Sequence, residues 1–90
     1  MIDFELYRIF VEVVKEGNIT KASEKLNVSQ PAITKQIKNL EEQLSMKLLE
    51  RKSKGVELTL EGKKLYEKIK NPIEELNVID RQVCKDKVIN

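Results

Sequence analysis

The stretch Leu26-Asn27-Val28-Ser29-Gln30-Pro31-Ala32-Ile33-Thr34 constrains this chain more than any other, because it ends one helix and begins the next within a few positions. Asn27 tolerates the left-handed backbone that closes a helix. Ser29 is a capping residue, and Pro31 falls in the first turn after it, where a missing N–H costs little. Beyond the cap, Ile33, Ile37, Leu40 and Leu44 recur at steps of four, three and four, which is one stripe of a helix. The opposite side carries Pro31, Thr34, Lys35 and Lys38. The spacing therefore predicts a short helix, a tight turn and a longer helix with an apolar back and a polar, cationic front.

The elements on either side follow from similar punctuation. A first helix is expected over Asp3 to Glu16, capped by Asp3 and stopped by Gly17. Its apolar residues form two adjacent rows, Leu6-Phe10-Val13 and Tyr7-Val11-Val14. One row enters the core; the other is buried within the same domain or meets a further helix from a second chain. Asn18 caps the short second helix, which runs to about Leu26. Its Ala22 is small where two helices must approach, and Ala22, Leu26 and Val28 close onto the Ile33 stripe.

After Leu44 the period changes. Lys47 to Arg51 and Gly55 to Leu58 are two short apolar-bearing runs around Lys52-Ser53-Lys54-Gly55, the pattern of a hairpin with a basic tip. Thr59 then caps a fourth helix beginning near Leu60. Leu65, Ile69, Pro72, Leu76, Ile79 and Val83 run along it at heptad-like spacing, a seam that buries well only against another helix. An interior proline costs about 3 kcal/mol, while Asn71-Pro72-Ile73-Glu74 also reads as a fresh helix start. One long helix bent near Asn71 is expected, with two helices as the alternative, and fraying from about Lys85.

Composition narrows the function. Ninety residues make one domain, and 36% charged with 40% hydrophobic residues suits a soluble, mainly helical protein. Cys84 is the only cysteine, so it reads as a small surface or interface residue; with no histidine either, a structural zinc site lacks its ligands and no cofactor is expected. The absence of histidine, of a glycine-rich phosphate loop and of a convincing carboxylate pair argues against an enzyme. No apolar run is long enough to cross a bilayer, and the N-terminus lacks the layout of a signal peptide, so a cytoplasmic location is expected. A net charge of +2 says little; the clustering of Lys35, Lys38, Lys47, Arg51, Lys52 and Lys54 says more. These positions share one face if the hairpin folds back beside the third helix, and such a helix suits the major groove of double-stranded DNA.

The run from Ala22 to Glu41 closely resembles the signature of LysR-type transcriptional regulators. The resemblance continues through Leu44, Leu48, Arg51, Gly55-Val56, Leu58-Thr59 and Gly62. It implies a mainly α fold: a winged helix-turn-helix of three helices and a two-stranded β wing over residues 1–59, then a long linker and dimerisation helix over 60–90. It also implies a homodimer paired through Leu65, Ile69, Leu76, Ile79 and Val83. Such regulators carry a separate small-molecule-sensing domain, so no inducer site is expected in this chain. Asn18 stands where serine is usual, Ser23 where alanine is common, Ser45 where glycine is frequent and Leu49 where phenylalanine is frequent.

Site roles follow from the resemblance and the side chains together. Gln30, Thr34 and Lys35 match groove-facing positions, and an amide, a hydroxyl and an ammonium can each read a base edge. Pro31 and Ala32 offer apolar contact to a thymine methyl. Lys38 and the Ser29 hydroxyl suit phosphate. Arg51, Lys52 and Lys54 belong to the wing and reach phosphate or the minor groove; Arg51 could pair with a carboxylate instead. Gln36 and Asn39 read as ordinary exposed positions. The alternatives are a winged-helix regulator of the molybdate-responsive kind and a helical dimer that serves only as a protein-interaction module.

Overall fold

A computed structural model describes the backbone of residues 2–89 and the side chains of residues 2–83. Cys84 therefore lies outside the described side chains. The elements run α1 (Phe4–Glu16), α2 (Ile19–Leu26), α3 (Gln30–Leu44), β1 (Leu49–Lys52), β2 (Gly55–Leu58) and α4 (Leu60–Ile89).

Each early boundary has a local chemical cause. The Asp3 carboxylate accepts from the Glu5 N–H at 2.9 Å, and the Asn18 side chain accepts from the Lys21 N–H at 2.9 Å. The Ser29 hydroxyl accepts from the Ala32 N–H at 3.2 Å, with Pro31 in the first turn of α3. Asn27 closes α2 in the left-handed region at φ 59°. Ser45 closes α3 at φ 55°, where it carries the roughly 1–2 kcal/mol strain that a glycine would avoid. Ser23 is buried, but its hydroxyl donates to the Thr20 carbonyl at 2.7 Å, so serine leaves no orphaned group there.

The core is aliphatic around one aromatic pair. Leu6, Ile9, Phe10 and Val13 of α1 pack with Ala22 of α2, Ile33, Ile37 and Leu40 of α3, and Leu48 and Leu49 before and in the wing. Phe10 meets Tyr66 of α4 edge-on, ring centres 6.4 Å apart. Val28, expected to close onto α3, is exposed instead: it follows the left-handed Asn27, which turns the chain outward.

The second row of α1 is covered by its own chain, Val11 fully and Tyr7 and Val14 in part. Val11 is buried where α1 faces α4, in a cleft it shares with Leu26 and Asn77, and Tyr7 and Val14 pack on the core. Lys15 pairs with Glu74, and Arg8 with Asp80 at 3.4 Å, across the same junction.

The strands pair antiparallel, Leu49 opposite Leu58 and Arg51 opposite Val56. β1 begins at Leu49 rather than at Lys47, because one Glu41 carboxylate oxygen accepts the Leu48 N–H at 2.8 Å and the Leu49 N–H at 3.2 Å. Those residues are thus tied to the end of α3 before the ladder starts. Thr59 begins α4 as expected: its hydroxyl accepts from the Gly62 N–H at 3.0 Å and donates to the Lys47 carbonyl. Gly62 is there because a Cβ would lie 2.1 Å from the Leu48 carbonyl oxygen.

α4 is a single helix that contains Pro72, not two, and its backbone stays helical past Lys85 to Ile89. Anchors on both sides of the proline hold it: Ile69 packs against the core, Ile73 is buried, and Glu74 bonds to Lys15. Among the described residues no helix is long and apolar enough to cross a membrane.

Candidate nucleic-acid interface

The back of α3 is held by Ile33, Ile37 and Leu40, which leaves the front of the helix uncovered. Gln30, Pro31, Thr34, Lys35 and Lys38 line one open groove there, and the wing contributes Arg51 to it. Gln30, Lys35 and Lys38 are exposed, and Thr34 is half-buried.

The strand register explains why Arg51 reaches this groove. Side chains alternate along a strand, so Arg51 shares a face with buried Leu49 and turns toward α3. Its Nη2 donates to the Thr34 hydroxyl oxygen at 2.7 Å. The alternative partner considered for Arg51, a carboxylate, is not the one found.

Glu50 and Lys52 occupy the other face of the wing, and Lys52 pairs with Glu50 at 3.6 Å. Lys54 is exposed at the tip. Lys47 joins the cationic face as well, for it flanks Lys38 and Arg51 along a neighbouring depression. Among the described residues, Lys35, Lys38, Lys47 and Lys54 have no acidic partner within salt-bridge distance. The basic cluster is therefore a surface of open charge, with Lys52 partly neutralised.

Four predicted residues sit apart from this groove: Lys52 and Lys54 on the wing, and Ser29 and Ala32 on α3 and its cap. Ser29 caps α3 at its rim, and Ala32 is half-buried behind Pro31. Two others do belong, Glu42 and Asn39, the latter expected from the sequence to be an ordinary exposed position. Asn39 lines the far end, its side chain accepting from Gln43 at 3.0 Å, and Glu42 adds an acidic boundary. Helical spacing from Lys35 could have found both, since positions four and seven further on lie along the same side.

The expected seam of α4 divides. Leu65 and Ile69 pack on the core of their own chain. Leu76, Ile79 and Val83 remain 41%, 52% and 59% exposed. Ile73, off the seam, is 3% exposed. The intramolecular contact selects the face containing Ile73, Glu74 and Asn77, so the last three seam residues point away from it.

No group of three or more potential metal-binding side chains converges among the described residues.

Comparison with known proteins yields consistent findings. The family described as bacterial regulatory helix-turn-helix protein, lysR family, matches residues 4–63. The HTH-type transcriptional regulator BenM of Acinetobacter baylyi is 44% identical over 82 residues, 91% of this chain but 26% of BenM. The chain thus spans about a quarter of the length of that relative. Among solved structures, a complex of the BenM DNA-binding domain with catB site 1 DNA is similar at a TM-score of 0.74 and 41% identity, over 98% of this chain and 96% of that one. Full-length AphB, a virulence activator of Vibrio cholerae, is similar at a TM-score of 0.87 and 27% identity, over 91% of this chain and 28% of that one.

Proposed function

The chain belongs to the LysR family of bacterial regulatory helix-turn-helix proteins, and from that premise we propose that it binds double-stranded DNA sequence-specifically as the DNA-binding module of a transcriptional regulator. α3 lies in the major groove. Gln30, Thr34 and Lys35 read base edges there, Pro31 and Ala32 offer apolar contact, and Lys38 and Ser29 meet phosphate. Arg51, Lys52 and Lys54 of the wing reach phosphate or the minor groove. The observation that carries this reading is the open front of α3: Lys35 and Lys38 stand in one groove with no acidic partner among the described residues, while the opposite side of the helix is buried. The family match favours the LysR type over the molybdate-responsive alternative.

The working unit is a homodimer. Residues 1–59 form the DNA-binding part and residues 60–90 the linker, with Leu76, Ile79 and Val83 supplying the surface for the second copy. Their exposure on an otherwise anchored helix supports this, since a half-seam of leucine, isoleucine and valine gains most from a partner helix. A two-fold dimer addresses a roughly palindromic site with half-sites about one helical turn, or a multiple, apart.

Titration of labelled duplexes at several salt concentrations tests the proposal. If a dimer neutralises on the order of six phosphates, log affinity falls against log salt with a slope near −5. Lys35→Ala lowers affinity for the preferred site by about 1–3 kcal/mol and blurs its base preference. Unchanged affinity and preference in Lys35→Ala overturns the groove assignment.

A further inference from the structure

The Arg51–Thr34 hydrogen bond does more than join the wing to α3. A guanidinium carries only donors and stays protonated, so the Thr34 oxygen accepts in this pair and the threonine O–H points elsewhere. A helical hydroxyl commonly donates to a carbonyl one turn back, as Ser23 does to Thr20. Among the described residues, no protein acceptor takes the Thr34 proton. It is left on the side of α3 that lines the groove with Gln30 and Lys35.

We infer that Arg51 is a specificity-determining partner of Thr34: it converts the threonine hydroxyl into an outward hydrogen-bond donor that selects a base edge offering an acceptor. This rests on the major-groove reading above and adds the sign of the contact. Free threonine can donate or accept, and so discriminates poorly. With its oxygen engaged by a cation, it favours guanine O6 or N7, adenine N7 or thymine O4, and disfavours the cytosine amino group, which is itself a donor. The positive charge next to it strengthens the O–H as a donor. Arg51 is thus a positioning residue whose effect falls at one base, whatever phosphate contact it also makes.

The test is a base-by-base affinity profile. A preferred duplex is selected from a random pool with the full chain, and every position is then replaced by each of the other three bases. Wild type is compared with Thr34→Val, Thr34→Ser, Arg51→Ala and the double variant Thr34→Val/Arg51→Ala, with thermal melts as the folding control. Thr34→Val and Arg51→Ala each lower the acceptor-over-cytosine preference at the same position by roughly two- to tenfold. The double variant loses no more there than the larger single loss, and Thr34→Ser keeps the preference. An Arg51→Ala profile that is uniformly weakened with its base preferences intact overturns the inference and leaves Arg51 a phosphate contact. Additive losses, or losses at different positions, overturn it equally. If wild type has no base preference at any position, the groove reading itself fails, an outcome distinct from either of these.

Discussion

Gly55 and Gly17 meet backbone to backbone: the Gly17 carbonyl oxygen would lie 2.2 Å from a Cβ added at Gly55. The same oxygen accepts the Val56 N–H at 3.1 Å, so the wing is fastened to the turn between α1 and α2 as well as to α3. Gly55 also has φ 137°, a conformation that side-chain-bearing residues rarely adopt.

The two glycines respond differently to alanine. At Gly17, φ is 70° and nothing lies within 4 Å of an added Cβ, so the cost is left-handed strain of about 1–2 kcal/mol. At Gly55 the backbone clash is added to the strain, and the wing must lift from the α1–α2 turn. With about 4–8 °C per kcal/mol for a domain of this size, thermal melting shows Gly55→Ala falling well below Gly17→Ala. Equal melting temperatures would remove the close approach from the account.

Glu41 gathers the Leu48 and Leu49 N–H groups on one oxygen. Glu41→Ala leaves both part-buried donors without that acceptor, and urea unfolding reads a loss of about 1–3 kcal/mol. Glu41→Gln retains a carbonyl oxygen and loses less. The amide protons of Leu48 and Leu49 exchange faster in the alanine variant, which locates the loss at the base of the wing.

The Lys15–Glu74 pair gives the α1–α4 junction a defined pH window. Its hydrogen bond holds the Glu74 carboxyl below the usual carboxylate range and raises Lys15 above the usual lysine range. The Glu74 contribution is present above its unfolded pKa and is lost as pH falls through the lowered folded value. The Lys15 contribution is present below its unfolded pKa and is lost as pH rises through the raised folded value. Both side chains are about two-fifths exposed, so the pair is worth about 0–1 kcal/mol at low salt. Lys15→Ala therefore differs from wild type most near neutral pH, and the difference shrinks in strong acid, in strong base and at high salt. The swap Lys15→Glu/Glu74→Lys recovers part of it.

The two ends of the α4 seam fail in different ways. Ile79→Asp alters an exposed position, so the helical circular-dichroism signal persists while sedimentation shifts from dimer to monomer. Leu65→Asp introduces a charge where α4 packs on the core, so the fold itself melts earlier. A dimer that survives Ile79→Asp and the corresponding changes at Leu76 and Val83 would exclude this surface.

What could be read from the sequence was local or periodic. Asp3, Asn18, Ser29 and Thr59 cap helices because each side chain reaches an N–H two or three residues on, a relation that needs no distant partner. The Ile33 stripe put the back of α3 in a core and its front outside it. Tertiary structure decided the relations between elements. Arg51 lies seventeen positions after Thr34, and only the strand register turns the arginine toward α3 rather than toward solvent. Likewise Leu65 to Val83 are equivalent by spacing, and it is the docking of Ile73 and Glu74 on α1 that spends one end of the seam and frees the other. Periodicity names the faces of a helix; which face is covered depends on what the rest of the chain brings against it.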